Sequence, residues 1–150
     1  MYDKQPARWL DIGVRPAPVR AAQALLALRL LLAGLLAIHG WARWIHGGVA
    51  PFGEWLGGQG FPLGLQLAWA VTLLEVLGTP LLALGWRVRW LAACFASVYS
   101  IGLVLVHWPA GWFVVGLGRN GMEYSVLLIA GLLALAWAHP SQRRSAATAD

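Results

Sequence analysis

Apolar residues in this chain neither alternate nor mark one face of a soluble helix; they run unbroken for the width of a bilayer. Four such runs stand out, at about 21–42 (AAQALLALRLLLAGLLAIHGWA), 64–86 (GLQLAWAVTLLEVLGTPLLALGW), 90–107 (WLAACFASVYSIGLVLVH) and 122–138 (MEYSVLLIAGLLALAWA). A hydrocarbon core about 30 Å thick takes about 20 residues at a rise of about 1.5 Å each, so the last two runs sit near the short limit. The chain has no alternating segments to close a barrel, and lipid offers no partner to an open backbone, so each run is predicted to be a helix. The pattern implies an all-α protein, a four-helix transmembrane bundle. Its single membrane domain covers 21–138, after a segment 1–20 and before a mobile tail 139–150. The first run is too long for a signal peptide and ends on the bulky Trp41 and Trp44, so it reads as a retained span.

Composition narrows the class further. The chain of 150 residues is 59% hydrophobic and 11% charged, with a mean hydropathy of +0.65; a soluble domain carries about 25% charged residues. Disorder is excluded by the same figures. The single Cys94 excludes a disulfide scaffold and a two-thiol redox motif. A net charge of +5 does not point to nucleic acid, because the basic residues flank the apolar runs instead of forming a stripe. Lys4, Arg8, Arg15, Arg20, Arg87, Arg89, Arg143 and Arg144 fall on one side of the predicted spans, against Arg43 and Arg119 on the other, which predicts both termini in the cytoplasm. Trp41, Trp44, Trp86, Trp90, Trp108 and Trp137 fall at span ends, where indole rings favour the headgroup zone. The two outer loops, about 43–63 and 108–121, are rich in glycine and aromatic residues. A short capping helix is expected near Pro51–Leu56.

Candidate chemistry lies in the ionisable residues inside the spans, because a charge at mid-bilayer costs at least about 2.5–3.5 kcal/mol. Counting about 1.5 Å per residue from the cytoplasmic ends places Arg29 about 12 Å deep and Glu75 about 16 Å deep, within reach of each other. They form a predicted buried ion pair or proton relay. The same arithmetic puts Glu123 at about 22 Å and His39 and His107 at about 27 and 26 Å, near the outer face. With Trp41, Trp108, Tyr124 and Arg119 these would line an outward-facing polar pocket. Its chemistry is open at this level between interhelical hydrogen bonding and three ligand readings: a quinone headgroup exchanging protons with the histidines and Glu123, a metal held by His39, His107 and Glu123, and a haem with the two histidines as axial ligands. Pro80 is expected to bend the second span. Ala92, Ala96 and Ser100 offer a small-residue packing face, and Cys94 reads as a small packing residue.

The combination of RLLLAGLLAIHGWARW, LLEVLGTPLLALGWRVRW, VHWPAGWF and NGMEYSVLLIAGLLAL resembles the DoxX family of bacterial membrane proteins over about Leu28–Leu135. The matching positions are Arg29, His39, Gly40, Glu75, His107, Gly121, Glu123 and Tyr124. The resemblance implies a multi-pass protein of the bacterial inner (plasma) membrane. The family name derives from a subunit of a thiosulfate:quinone oxidoreductase, and other relatives accompany redox-protection complexes or metal-handling proteins. The leading expectation is therefore the membrane subunit of a redox system, quinone- or metal-linked; any enzymatic role would be as an oxidoreductase subunit. Expected partners are lipid and either another membrane or periplasmic protein or a second copy of the chain. The alternative is a non-catalytic anchor or assembly factor docking a partner through Phe52, Trp55 and Trp112, which the lack of nucleotide, flavin and nucleophile motifs favours. Solute transport is a third reading, for which four spans leave little room.

Overall fold

The computed structural model describes residues 18–116 and 118–139. The described residues form five α-helices: α1 (Pro18–Ile45), α2 (Val49–Gly58), α3 (Gly64–Leu84), α4 (Val88–Gly102) and α5 (Glu123–Ala138). α4 continues through a wide π turn at Leu103–His107 and a tight 3₁₀ turn at Trp108–Ala110. Three helical stretches, 18–45, 64–84 and 88–110, are long and apolar enough to cross a membrane. α5 is apolar but has only 16 residues. The chain is thus an all-helical membrane protein. Lys4, Arg8, Arg15, Arg143 and Arg144, on which the orientation partly rests, lie outside the described residues, as does the tail from Pro140.

α3 ends in a glycine cap. Gly85 takes a left-handed φ of 85°, and the N–H groups of Gly85 and Trp86 donate to the carbonyls of Leu82 and Leu81, which closes the helix and starts the turn into α4. The Arg29 guanidinium lies over this cap, where a Cβ on Gly85 would come within 2.9 Å of its Nη1. On the next element of register, a Cβ on Gly40 would meet the Glu75 Cβ at 2.5 Å. Eleven residues of α1 therefore run antiparallel beside ten of α3. The first eleven residues of α1 extend about 16 Å past the α3–α4 turn. Arg29 accordingly stands level with the turn, and the expected 12 Å depth is corrected: α1 begins well before the level at which α3 ends.

Two apolar clusters hold the bundle. The larger joins Leu32 and Leu36 of α1, Leu82 of α3, Phe95 and its neighbours Val88, Ala92 and Ala96 of α4, and Leu132 and Leu135 of α5. It fills the half nearer the α3–α4 turn. The smaller joins Val49 and Leu56 of α2 to Ala68 of α3, flanked by Phe52 and Phe61. α2 is the short helix expected near Pro51–Leu56. It seats against α3 because Gly53 and Gly64 bring the backbones together: a Cβ on Gly53 would lie 2.7 Å from the Leu65 Cα, and one on Gly64 would collide with the Gly53 carbonyl. Of the expected small-residue face, Ala92 and Ala96 are buried, while Ser100 is exposed and turns its hydroxyl back to the Ala96 carbonyl. Cys94 is exposed on α4 and does not pack in the interior. α3 runs unbroken through Pro80.

Candidate functional site

Between the two clusters, α3 carries the buried polar residues Thr72, Glu75 and Thr79, all within 2% of complete burial. Their spacing of three and four places them on one helical face. Thr72 and Thr79 donate their hydroxyls to the carbonyls of Ala68 and Glu75, at 2.7 and 2.6 Å, so neither hydroxyl proton is left without an acceptor. Glu75 stands twelve residues into a helix of 21 that is long and apolar enough to cross a membrane. Both of its carboxylate oxygens have partners. Arg43 Nη1 donates to Oε2 at 2.6 Å, and the Tyr99 hydroxyl of α4 donates to Oε1 at 2.9 Å. The same Arg43 nitrogen reaches Thr72 Oγ1 at 3.2 Å, and its guanidinium carbon lies 4.6 Å from the centre of the Phe52 ring of α2. A charge pair in lipid persists only with its remaining hydrogen-bonding capacity satisfied; one carboxylate here ties α1, α3 and α4 together.

Glycine permits this arrangement. A Cβ at Gly40 would stand 2.5 Å from the Glu75 Cβ, so glycine lets α1 approach α3 this closely, three residues before Arg43. His39, next in sequence, lines the cavity and meets the Tyr99 ring edge-on, with centroids 6.0 Å apart.

His107 joins the same face through the π turn. Tyr99 and His107 are eight residues apart, which in a regular helix leaves them about 80° out of register. A π turn absorbs one extra residue and brings the offset down to about 20°. His107 Nδ1 lies 2.8 Å from the carbonyl oxygen of Asn120. A carbonyl only accepts, so Nδ1 carries the proton, and the neutral ring keeps Nε2 as an acceptor. Asn120 offers that carbonyl from a left-handed φ of 60°, a conformation that Asn tolerates better than most residues. The 111–123 loop is pinned by backbone bonds from Gly121, Met122 and Glu123 to Phe113, Gly111 and Trp112.

These side chains border a cavity of about 420 Å³. Arg43, Glu75, Tyr99 and His39 form its polar cluster, His107 and Ser125 lie nearer the loop before α5, and Leu67, Val71, Val98 and Leu105, with Phe52, Trp55, Leu56 and Phe61, supply apolar wall. Such a volume is in the range of pockets that bind small molecules, about 300–1,000 Å³.

The structure places the expected residues unequally. Glu75, His39 and His107 border one cavity. Arg29 does not pair with Glu75: ten residues of α3 separate Glu75 from Gly85, about 15 Å along the axis, and the partner is Arg43. Arg29 instead rests against the C-terminal end of α3, whose partial negative charge suits a cation, and its buried Nε has no hydrogen-bond partner among the described residues. Trp41 stacks on Trp44 at 5.7 Å on the outside of α1. Trp108 and Tyr124 are exposed, and Arg119 borders a separate hollow in the loop with Val114 and Val115. Glu123 opens α5 without reaching the cavity. Among the described residues no three His, Cys, Asp or Glu side chains are grouped to hold a metal ion, so His39, His107 and Glu123 do not form the expected ligand set. Nor are the two histidines level, as the haem reading requires: His39 sits beside Tyr99, and His107 follows it by eight residues along α4.

Arg43, Tyr99, Thr72 and Ser125 were not expected at the site. In the sequence Arg43 reads as an outer topology charge, since it lies beyond the first apolar run. Nothing marked the hydroxyl residues of α3, α4 and α5 except their place within spans.

Comparison with curated proteins finds no match, and comparison with solved structures finds none. The DoxX family model matches residues 24–108, a stretch that contains the Arg43–Glu75–Tyr99 cluster, both histidines and most of the cavity wall. With more than half of its length matched, the chain belongs to the DoxX family.

Proposed function

We propose that this DoxX protein is a multi-pass subunit of the bacterial inner membrane, N-in and C-in, that holds the headgroup of a quinone-type ligand for a redox system. The observation that carries the reading is that His39 and His107 border the same cavity as the closed Arg43–Glu75–Tyr99 cluster. A quinone ring presents an oxygen at each end, accepting hydrogen bonds when oxidised and donating them when reduced. Imidazole can do either, which suits a head whose protonation changes. With Nδ1 committed to Asn120, Nε2 of neutral His107 accepts from a quinol hydroxyl; His39, with no fixed partner, donates to a carbonyl. The Arg43–Glu75 pair fixes the inner end without leaving a net charge. α5, about 24 Å long at 1.5 Å per residue, crosses with local thinning of the bilayer.

Native mass spectrometry of the protein gently extracted from its own membranes tests this. The reading expects a bound quinone in the wild type that is lost in His39→Ala and His107→Ala. Wild-type protein that carries no quinone, or variants that retain it fully, would contradict the reading.

One observation favours a second reading, an anchor that docks a partner. Trp112, Phe113 and Val115 are 43–69% exposed on the loop before α5, a concentration of apolar surface beyond the span. Phe52 and Trp55, also expected to serve docking, border the cavity, Trp55 while 37% exposed. Docking would therefore rest on Trp112 and its neighbours, and Trp112→Ala with Phe113→Ala would release the partner while leaving ligand retention unchanged.

A further inference from the structure

We infer that the ligand enters from the bilayer, between α3 and α4, and that it carries a flexible apolar chain which remains seated between those helices; this rests on the quinone-type reading above and narrows it to a lipid-borne ligand. α3 and α4 touch where Gly78 meets Phe95 and Leu91 and are bridged once more at Glu75–Tyr99; residues of both helices beyond that bridge line the cavity. Its sides there include Val71, one turn before Glu75 on α3, and Leu67 a turn farther, together with Val98 of α4 and Leu105 of the π turn. Leu67, Ile101 and Val106 on its rim are 37%, 52% and 37% exposed. They belong to stretches apolar enough to span a membrane, so the rim opens on lipid.

Aromatic residues of α2 line the loop side. Phe52, Trp55 and Leu56 of α2, with Phe61, line the cavity there, Leu56 buried, and the close backbone approach at Gly53 and Gly64 holds α2 on α3. The charges match a neutral ligand as well. Arg43 is occupied by Glu75, Thr72 and the Phe52 ring, and Glu75 by Arg43 and Tyr99, so no uncompensated charge draws a soluble ion inward. A polar inner end with apolar sides and a lipid-facing rim fits an amphiphile whose ring lies against His39 and Tyr99 and whose chain passes Val71 and Val98 toward the bilayer.

The test compares a chain-free dimethoxy-methyl-benzoquinone with its decyl derivative by titration calorimetry, at fixed detergent concentration. The full-length wild type is compared with Val71→Phe, Val98→Phe and, as a control on the exposed side of α5, Leu127→Phe. Burial of two methylenes suffices for about a tenfold gain, so the wild type should bind the decyl compound at least about tenfold more tightly. Val71→Phe and Val98→Phe should abolish that advantage, with unfolding midpoints close to the wild type's reporting that they are folded; Leu127→Phe should match the wild type. Equal affinity for both compounds, or an undiminished decyl advantage in both cavity variants, would overturn the inference and leave the headgroup reading standing. No binding of either compound would overturn both.

Discussion

Replacing Arg43 should damage this bundle far more than replacing Arg29, although only Arg29 lies inside the first long apolar run. Glu75 is 2% exposed and Arg43 18%, with 2.6 Å between the charged atoms. Removing one partner of a buried pair costs about 3–5 kcal/mol, because the other charge remains without compensation. Arg43→Met should fall in that range. Glu75→Leu should cost less: Arg43 is near the end of α1 and can carry its guanidinium on its long stem toward the headgroups, whereas Glu75 is held at mid-helix. Removing both charges, Arg43→Met with Glu75→Leu, should recover most of the loss, since an apolar replacement of a buried pair is often neutral or better. Tyr99→Phe removes one interhelical hydrogen bond and should cost about 0.6–1.7 kcal/mol. Unfolding by sodium dodecyl sulfate in mixed micelles, followed by tryptophan fluorescence, measures all five variants on one scale. The reasoning fails if Arg29→Met is as damaging as Arg43→Met, or if the double variant equals the sum of its singles.

Gly40→Ala should cost about 1–3 kcal/mol by overpacking, since the new Cβ would stand 2.5 Å from the Glu75 Cβ where carbon atoms prefer about 3.5–4.0 Å; the same titration reads it, and a neutral result would dispute the α1–α3 register. Asn120→Val should destabilise by about 1–2 kcal/mol because a β-branched residue resists a φ of 60°, while Asn120→Gly should be tolerated; comparison of the two unfolding midpoints checks it. In the folded protein in mild detergent, Cys94, exposed on α4, should react with a small neutral maleimide about as fast as a cysteine placed at the exposed Leu127; much slower reaction would contradict its exposure. Reporter fusions should place both termini in the cytoplasm, and opposite placements would mean that α5 does not cross.

Length and hydropathy made the helices legible, because in lipid the backbone has few alternatives and an apolar run of about 20 residues has one economical structure. The α3 start at Gly64 and the α5 end at Ala138 coincide with the expected boundaries, and the capping helix appears where Pro51–Leu56 suggested it. Depth was not legible. Counting from the start of the first apolar run assumed that α1 begins level with the α3–α4 turn, yet it starts eleven residues earlier, which moves Arg29 out of reach of Glu75 and Arg43 into it. The displacement of His107 onto the face of Tyr99 depends on a π turn, which leaves no mark in the hydrophobic pattern. Gly40 was noted only as a family-like position; that it admits the Glu75 side chain is visible only once two helices are side by side.

The most direct test of the central claim is photolabelling of the full-length protein in lipid vesicles with an azido-benzoquinone carrying a decyl chain, with adducts located by peptide mass spectrometry. The account predicts labelling of the cavity side of α3 and α4, around Val71, Val98 and Tyr99, suppressed by excess unlabelled decyl quinone. Adducts spread over lipid-facing positions such as Leu127 and Trp137, with no suppression by the competitor, would contradict it.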